Sequence, residues 1–374
     1  MDHDTTEAIV VDIGSHLIRA GLSGHDSPKI IEETVVGRPK LAGAVTLDHK
    51  DLYIGREAME KRDILTLSHP MKYSTVQNWE EIDKIYHHIF FNQLIADPNQ
   101  SRILIMEPPL NKRQYREKIT EVMFETFSCG GFYLANSSVM SLFATGRTTG
   151  IVIESGLNET CIVPTYEGYA LPQATLKLPI GGEEITNFLI TNLKASGIDL
   201  PHSKEFEVAQ DIKEKYCYLS TDYQQELNSL GISSGISREC ELPDGNKIIL
   251  SVERFKSPEI LFQPLLYGVD QAGIHELAYN SAVKCDADIR RQLCGNIILS
   301  GGNTMFPKIK EKLNRDIKSL APSNIDIVVK APPERKHLAW IGGAILSSLD
   351  KFKMWINRGE YDEFGAAVVH RKCF

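Results

Sequence analysis

The chain has 374 residues, of which 42% are hydrophobic and 24% are charged, and its net charge is -8. This length exceeds the usual limit of a single hydrophobic core, so we expect two domains. The acidic balance argues against direct binding to nucleic acid or to an anionic membrane, which leaves protein partners and small ligands.

The first residues, Met1-Asp2-His3-Asp4, are acidic and do not show the basic region followed by an apolar core that is typical of a signal peptide. No later apolar run is long enough to span a bilayer. The seven cysteines are scattered along the chain and form no Cys-x-x-Cys pair. We interpret them as reduced thiols, which favours a protein of the cytosol or nucleus.

The first predicted element is a β-hairpin. An apolar run, Ile9-Val10-Val11, is followed by Asp12, one further residue and Gly14. The run is typical of a buried strand, the glycine permits a tight turn, and the next residues are predicted to form the returning strand. The pattern recurs as Ile151-Val152-Ile153-Glu154-Ser155-Gly156, 142 positions later (154 minus 12). Two such hairpins predict two similar lobes.

An acid at the tip of such a hairpin has two explanations. A carboxylate beside backbone N–H groups suits a metal-bound polyphosphate, because the amides hold the anion and the acid holds Mg²⁺ through water. The same pattern also arises where core strands simply end in turns. The motif alone leaves both explanations open.

Helical and strand-like segments alternate between the two hairpins, which is the signature of an α/β sheet. Residues 41–50 show no periodicity and are predicted to be an exposed loop. Helices are predicted from Asn78 and over residues 113–127 and 137–145, and strands over 103–106 and 131–134. The second lobe is predicted to begin near Thr148, with a hinge at about 144–148.

After the second hairpin, helices are predicted near residues 185–193, 206–219 and 340–346, a flexible loop over 231–235, and a turn between strands over 241–246. Residues 296–300 are predicted to form a strand that leads through Gly301-Gly302 into a helix. This context favours close backbone approach to a ligand at a helix N-terminus.

Seven motifs resemble those of actins in order and spacing. They are Gly37-Arg38-Pro39, Phe124-Glu125-Thr126-Phe127, Gly146-Arg147-Thr148-Thr149-Gly150, Tyr166-Glu167-Gly168-Tyr169, Leu299-Ser300-Gly301-Gly302, Pro333-Glu334-Arg335-Lys336 and Trp340-Ile341-Gly342-Gly343. The similarity runs from about Ala8 to Phe374. It implies an α/β, actin-like ATPase fold, in which two similar α/β lobes, each with a smaller subdomain, surround a nucleotide cleft.

The resemblance also implies the domain boundaries. The first lobe is expected over residues 1–144 and 338–374, with its small subdomain at about 33–69. The second lobe is expected over 145–337, with its small subdomain at about 181–269.

The cofactor implied by the resemblance is ATP or ADP with Mg²⁺, or with Ca²⁺ in its place. Asp12 corresponds to the cation-side aspartate of the family, and Asp12 and Glu154 are expected to hold the metal through water. The nucleotide-binding residues implied by the match are Gly14, Ser15, Arg19, Gly156, Gly182, Lys213, Glu214, Gly301, Gly302, Met305, Phe306 and Lys336. Arg19 stands at a family lysine, Phe306 at a tyrosine and Gln210 at an arginine.

The phosphate end of this site departs from the family pattern. The second tip of actins contains Asp-Gly where this chain has Leu157-Asn158, and in the first tip Ile13 replaces an asparagine and His16 a glycine. A carboxylate is lost, and side chains occupy positions where glycine lets the backbone approach a phosphate. We therefore expect a weakened phosphate site, with neutral drift as the alternative explanation for single changes.

The catalytic positions are also altered. The family's water-positioning glutamine is Ser137 here, and the histidine near the attacking water is Cys161. Loss of one positioned acid–base group typically costs ~10²- to 10⁴-fold in rate. No catalytic residue is assigned, and hydrolysis is expected to be slow or absent.

The resemblance implies a hydrophobic cleft for protein partners. It is expected to be lined by Phe143, Ala144, Gly146, Thr148, Gly168, Ile341, Ile345, Leu346 and Leu349. The loop over residues 41–49 is one residue shorter than in actins and differs in nearly every side chain, so its polymer contacts are expected to differ.

Three classes of function are compared. The first is a divergent actin-like structural protein that joins a larger assembly, such as conventional actin, an axonemal motor, a dynactin-like filament or a chromatin remodeller. The second is a conventional polymerising actin with ATPase activity. The third is a sugar kinase or chaperone ATPase, which the actin motifs along the whole chain disfavour. The altered phosphate end favours the first class, in the cytoplasm and cytoskeleton, with the nucleus or axoneme as alternatives.

Overall fold

The computed structural model describes residues 7–40, 50–201, 204–228, 237–243 and 245–374. Backbone contacts divide the chain into two compact units. The first unit comprises Met1–Thr148, Glu167–Pro172 and His337–Phe374, and the second comprises Thr149–Tyr166 and Gln173–Lys336.

These units differ from the predicted lobes at three places, since residues 145–148, Glu167–Pro172 and His337 all belong to the first unit. The largest difference is Glu167–Pro172. The reason is local. The Gly168 amide donates a hydrogen bond to the Thr148 carbonyl at 2.8 Å, and the Tyr169 ring lies 5.8 Å from the Phe374 ring. The predicted lobes, hinge and small subdomains stay predictions.

The strands are β1 Ile9–Ile13, β2 Leu17–Leu22, β3 Ile30–Glu33, β4 Val36–Pro39, β5 Tyr53–Ile54, β6 Leu65–Ser68, β7 Met71–Lys72, β8 Thr75–Val76, β9 Arg102–Glu107, β10 Gly131–Asn136, β11 Gly150–Ser155, β12 Thr160–Tyr166, β13 Tyr169–Ala170, β14 Leu176–Leu178, β15 Arg238–Glu241, β16 Lys247–Leu250, β17 Ile297–Ser300 and β18 Val329–Lys330.

The α-helices are α1 Arg56–Glu60, α2 Trp79–His87, α3 Arg113–Glu121, α4 Ser137–Phe143, α5 Gly182–Ala195, α6 Glu205–Tyr216, α7 Tyr223–Asn228, α8 Glu253–Lys256, α9 Ile274–Lys284, α10 Ala287–Cys294, α11 Ile309–Leu320, α12 Leu338–Ser348, α13 Arg358–Phe364 and α14 Val369–Lys372. π-Helical turns extend α2 over His88–Leu94 and α3 over Val122–Thr126. Short 3-10 turns are Pro98–Gln100, Pro172–Ala174, Pro258–Leu261, Pro264–Tyr267, Gly302–Met305 and Gly365–Val368.

The sheet of the first unit has the strand order β10-β9-β1-β2-β3. Strand β1 runs parallel to β9 and antiparallel to β2, and Ile9, Val10 and Val11 of β1 are fully buried. Helix α12 lies so close to α4 that a β-carbon on Gly342 would be 1.9 Å from the Met140 carbonyl oxygen. The buried strand and the glycine contact fix the first hairpin in a rigid core.

The second unit repeats this arrangement. Its strands follow the order β12-β11-β17-β18, with β14 paired to β12. Strand β11 runs antiparallel to β12 and parallel to β17. Each unit therefore contains one hairpin whose first strand also pairs with a parallel neighbour.

Most predicted elements are confirmed, including both hairpins and the helices that begin at Trp79, Arg113 and Ser137. Asn78 caps α2, since its side chain accepts a hydrogen bond from the Glu81 amide. The turn predicted at 241–246 joins β15 to β16, with Gly245 at φ 82°. Asp244 of this turn and the predicted loops at 41–49 and 231–235 lie outside the described residues, and so does the acidic start.

One prediction is wrong. Gly301-Gly302 leads into a 3-10 turn, Gly302–Met305, and the α-helix begins only at Ile309. The cause is Pro307, because the residue before a proline is excluded from the helical region and Phe306 is accordingly extended at ψ 131°. The glycine pair therefore does not sit at the N-terminus of an α-helix.

The seven cysteines are free thiols, and none is more than 4% exposed. Burial raises the thiol pKa of Cys129, Cys217 and Cys373 to about 12. Within the part of the chain that the structure describes, no helix is both long and apolar enough to cross a membrane.

Candidate functional site

The first hairpin tip is held by backbone contacts. The Gly14 amide donates to the Leu17 carbonyl at 3.0 Å, which closes the turn. Thr34 fixes the tip from the side: its amide donates to the His16 carbonyl at 2.8 Å, and its hydroxyl donates to the Gly14 carbonyl at 2.7 Å. Ser15 accepts a hydrogen bond from the Ser74 amide through its hydroxyl at 3.3 Å. The tip is thus ordered within the first unit.

Asp12 and Arg19 face each other in this hairpin. They are register partners of β1 and β2, and Arg19 Nη1 lies 2.9 Å from Asp12 Oδ2. Burial raises the pKa of Asp12, and the positive charge of Arg19 partly opposes that rise. The residues assigned to the metal and to the phosphates are therefore paired with each other.

His337 completes this cluster. Arg19 Nε donates a hydrogen bond to His337 Nδ1 at 3.0 Å. No sequence motif marks His337 as a site residue, because it lies 318 positions from Arg19. Only the fold brings the start of α12 to the first hairpin.

The second hairpin has the same geometry with different side chains. The Gly156 amide donates to the Glu159 carbonyl at 3.0 Å, as Gly14 does to Leu17. Glu154 is the register partner of Cys161, 142 positions after Asp12 and Arg19 (154 minus 12 and 161 minus 19). Cys161 is 4% exposed, and burial raises its thiol pKa well above the usual value. The thiol is therefore protonated at neutral pH and is a poor general base.

The N-terminus of α5 covers the second tip. The Gly182 amide donates to the Gly156 carbonyl at 2.9 Å, and the Glu183 amide donates to the Leu157 carbonyl at 2.8 Å. A β-carbon on Gly181 would be 2.3 Å from the Leu157 carbonyl oxygen, so this contact requires glycine. The first amides of the helix, which often bind anions, are bonded to the tip.

Asn158 is turned into the second unit. It is 3% exposed, and its Nδ2 donates to Glu183 Oε2 at 2.6 Å. The sequence predicts that the Asn158 side chain adds bulk at the phosphate side of the tip. The structure corrects this, because the side chain is accommodated against α5.

The glycine loop after β17 packs on the backbone of the second tip. Gly301 has φ 89°, and its amide donates to the Arg335 carbonyl at 2.9 Å. Asn303 Nδ2 donates to the Gly156 carbonyl at 2.6 Å and to Ser155 Oγ at 3.1 Å. A β-carbon on Gly302, in contrast, would meet nothing within 4 Å. The loop therefore has a fixed inner side at Gly301 and an open side at Gly302.

Lys213 is a buried cation. Its Nζ donates to the Gly182 carbonyl at 2.9 Å and to Thr186 Oγ1 at 2.8 Å, and the residue is 5% exposed. Burial lowers the pKa of its ammonium group to about 8. Lys213 thus joins α6 to the first turn of α5, in addition to the predicted ligand role.

The other predicted nucleoside residues differ in exposure. Glu214 is exposed and accepts a hydrogen bond from Gln210 at 3.3 Å, whereas Lys336 is half-buried. Met305 is 41% exposed and Phe306 is 7% exposed. Phe306 therefore belongs to the packing of the second unit, while Glu214, Met305 and Lys336 present atoms to solvent.

Ser137 is the first residue of α4 and is 5% exposed. Its carbonyl accepts a hydrogen bond from the Ser141 hydroxyl at 2.9 Å. Ser137, Asp12, Gly14, Ser15 and Arg19 belong to the first unit, and the remaining predicted site residues belong to the second.

The predicted partner surface lies entirely within the first unit. Ile345 and Leu349 near the end of α12 are 39% and 46% exposed. Tyr169 and Phe374, each 56% exposed, contribute further apolar area beyond the predicted lining. Phe143, Ala144, Gly168, Ile341 and Leu346 are half-buried, and Gly146 and Thr148 are exposed.

Side chains alone do not form a metal site in the described parts of the chain, because no three His, Cys, Asp or Glu side chains cluster there. Arg19 also occupies one oxygen of Asp12. The individual groups suit a nucleoside better: the exposed Glu214 carboxylate can accept hydroxyl groups, Lys336 is a half-buried cationic residue, and the backbone at Gly302 is open to close approach. A cation would fit only through water and phosphate oxygens.

Comparison with known protein families gives one full-length match. The family model described as Actin matches residues 3–374, nearly the whole chain. The match agrees with the α/β content and the mixed sheets of the two units.

Proposed function

The chain belongs to the actin family, and we propose that it is a divergent member that binds ATP or ADP, hydrolyses ATP slowly or not at all, and serves as a structural subunit of a larger protein assembly. Members of this family generally bind a nucleotide together with a divalent metal. The family also associates the chain with the cytoskeleton.

Nucleotide binding is supported by the residues of the second unit. The exposed Glu214 carboxylate is suited to accept the ribose hydroxyls, and the cation of Lys336 is suited to the nucleotide's polar edge. Gly302 leaves room for a ligand to approach the backbone, while Gly301 fixes the loop. The buried ammonium of Lys213 holds the start of α5 in place. In this family the bound triphosphate supplies the phosphoanhydride bond that hydrolysis would break.

Slow hydrolysis rests on one observation, the state of Cys161. Its thiol is buried and its pKa is raised, so it does not accept a proton from water at neutral pH. Ser137 is a short, buried hydroxyl that lacks the amide of a glutamine. With neither group able to orient or deprotonate a water molecule, the rate should be lower by ~10²- to 10⁴-fold than in an intact site.

A role as a subunit is supported by the surface around α12. Ile345, Leu349, Tyr169 and Phe374 place exposed apolar side chains in the first unit. We propose that this surface binds a protein partner, either conventional actin or a component of a motor or remodelling complex. The net charge of -8 disfavours direct binding to nucleic acid or membrane, and a cytoplasmic, cytoskeletal location is proposed.

The test is a pair of measurements on the full-length protein. Gently purified protein should release ATP or ADP on acid denaturation, and it should release phosphate far more slowly than conventional actin assayed beside it. In Mg²⁺ and ATP it should not sediment as long homopolymers. An actin-like rate together with filament formation would instead identify a conventional polymerising actin, and absence of nucleotide would refute the binding proposal.

A further inference from the structure

Arg19 holds two groups at once. Its Nη1 lies 2.9 Å from Asp12 Oδ2, and its Nε donates to His337 Nδ1 at 3.0 Å. The side chains of Arg19 and Asp12 are 13% and 16% exposed. A planar guanidinium can satisfy two partners in fixed directions, whereas an ammonium is a single point charge. The pair is therefore a built feature of the first hairpin.

The second hairpin lacks this feature. At the position equivalent to Arg19 it carries Cys161, which is not a cationic residue, as the register partner of Glu154. The arginine–carboxylate register pair therefore belongs to the first hairpin, where the family's cation-side carboxylate is located.

We propose that Arg19 is a resident counter-cation that replaces the divalent metal at Asp12. A partly buried carboxylate without a positive partner is costly, and the ion pair with Arg19 at 2.9 Å lowers that cost without a bound ion. His337 is the positioning residue, because its ring nitrogen fixes the orientation of the guanidinium. It follows that the folded first hairpin does not depend on Mg²⁺, and that Mg²⁺ must compete with an attached cation.

The thermal unfolding midpoint of the full-length protein tests this, measured in excess EDTA and in millimolar Mg²⁺ without added nucleotide. The wild-type midpoint should be the same in both. Arg19→Met should lower it in EDTA by on the order of 5 °C, because Asp12 is left uncompensated, and Mg²⁺ should recover much of that loss. Arg19→Lys should also lower the midpoint in EDTA, but by less. This variant provides the test if Arg19→Met does not fold.

A matched control is Arg116→Met. Arg116 pairs with Glu107 in the same unit at 3.0 Å, with side chains 15% and 6% exposed. Its loss should lower the midpoint equally in EDTA and in Mg²⁺. A wild type that loses stability in EDTA would overturn the proposal. So would Arg19 variants that respond to Mg²⁺ no more than Arg116→Met does.

The inference about metal dependence rests on the proposed nucleotide binding, so a second measurement separates the two. The affinity for a fluorescent ATP analogue is compared with and without Mg²⁺. The wild type should gain less than about tenfold from Mg²⁺, and Arg19→Lys should gain more. A larger gain in the wild type would overturn the counter-cation role. Absence of binding in both conditions would refute the proposed function, while the unfolding midpoints would still decide the role of Arg19.

Discussion

Gly301 lies directly against the backbone of Ser155: a β-carbon on Gly301 would be 2.3 Å from the Ser155 carbonyl oxygen. The contact joins the loop after β17 to the second hairpin tip within one unit. Because the obstructing atom is backbone, it cannot move aside without displacing β11. Gly301 also has φ 89°, which L-amino acids rarely adopt. The neighbouring Gly302 has neither constraint.

These two glycines allow a matched pair of substitutions. Gly301→Ala should lower the free energy of unfolding by roughly 2–4 kcal/mol, because the clash and the backbone strain add. Gly302→Ala should change it by less than about 0.5 kcal/mol. If Gly302 faces the nucleotide, its variant should nevertheless bind ATP more weakly. Urea unfolding and nucleotide affinity would be measured for both, and equal stability losses would contradict the prediction.

Lys213 should make stability depend on pH in the alkaline range. Its folded-state pKa of about 8 lies below the usual 10.5, so burial opposes the charged form. Below pH 8 the Lys213 ammonium is charged in the folded protein, and the burial of this charge lowers the free energy of unfolding by its full amount. This destabilisation declines as the pH rises towards 10.5, because the folded state releases the proton first.

The comparison is between the wild type and Lys213→Met. The free energy of unfolding of the wild type, relative to the variant, should rise by about 3 kcal/mol between pH 7 and pH 10.5. Lys215→Met, which removes an exposed lysine from the same helix, should show no comparable change. A pH-independent difference for Lys213→Met would mean that the amine is already neutral, or is well solvated, in the folded protein.

The altered hairpin tips are predicted to weaken ATP binding. His16→Gly and Leu157→Asp together should tighten ATP binding about tenfold at fixed Mg²⁺, since one removes bulk and the other restores a carboxylate. Adding Asn158→Gly should give no further gain and should cost about 1–2 kcal/mol of stability, because the hydrogen bond to Glu183 is lost. Equal affinities of the wild type and the double variant would indicate that the tip changes are neutral drift.

Hydrolysis should be recoverable in the double variant His16→Gly, Leu157→Asp. Ser137→Gln with Cys161→His should raise the rate of phosphate release by roughly 10²-fold, because a water-orienting amide and a titratable base are restored. Both positions are buried, so each larger side chain must be accommodated. Cys161→Asn is the matched control, as it adds similar bulk without a titratable base. A rate unchanged from background in the restored variant, with ATP bound, would assign the defect to other residues.

The surface around α12 can be tested without disturbing the core. Ile345→Asp and Leu349→Asp should leave the free energy of unfolding within about 0.5 kcal/mol of the wild type, because both residues lie at the surface, 39% and 46% exposed. Both should reduce association with conventional actin or with partners captured from a native extract. Leu320→Asp is the control, since Leu320 is 41% exposed at the end of α11 in the second unit. Retained association in both α12 variants would exclude this surface.

The sequence predicted the elements whose local signals agree with the fold. The apolar runs at Ile9 and Ile151 became the inner strands, and Asn78 marked the start of α2. The glycine pair predicts a helix directly after Gly302, but Pro307 keeps Phe306 extended and the α-helix begins only at Ile309. The two hairpin motifs predict a repeat of 142 positions. The strand register shows the same repeat, since Asp12 pairs with Arg19 and Glu154 pairs with Cys161.

The site was predicted less completely than the fold, because its contacts join distant residues. The match identified Asp12 and Arg19 separately, but their pairing depends on strand register and their link to His337 depends on α12. The inward turn of Asn158 depends on Glu183, which lies 25 positions away on another element. No local pattern contains these relationships.

The burial of all seven cysteines has a practical consequence for spectroscopy. Thiol-directed dyes react with exposed thiolates, and none of the native thiols is more than 4% exposed. A cysteine introduced at Ser348, an exposed position between Ile345 and Leu349, would therefore be labelled selectively in the folded protein. A fluorophore attached there would report partner docking in real time, without first removing any native cysteine.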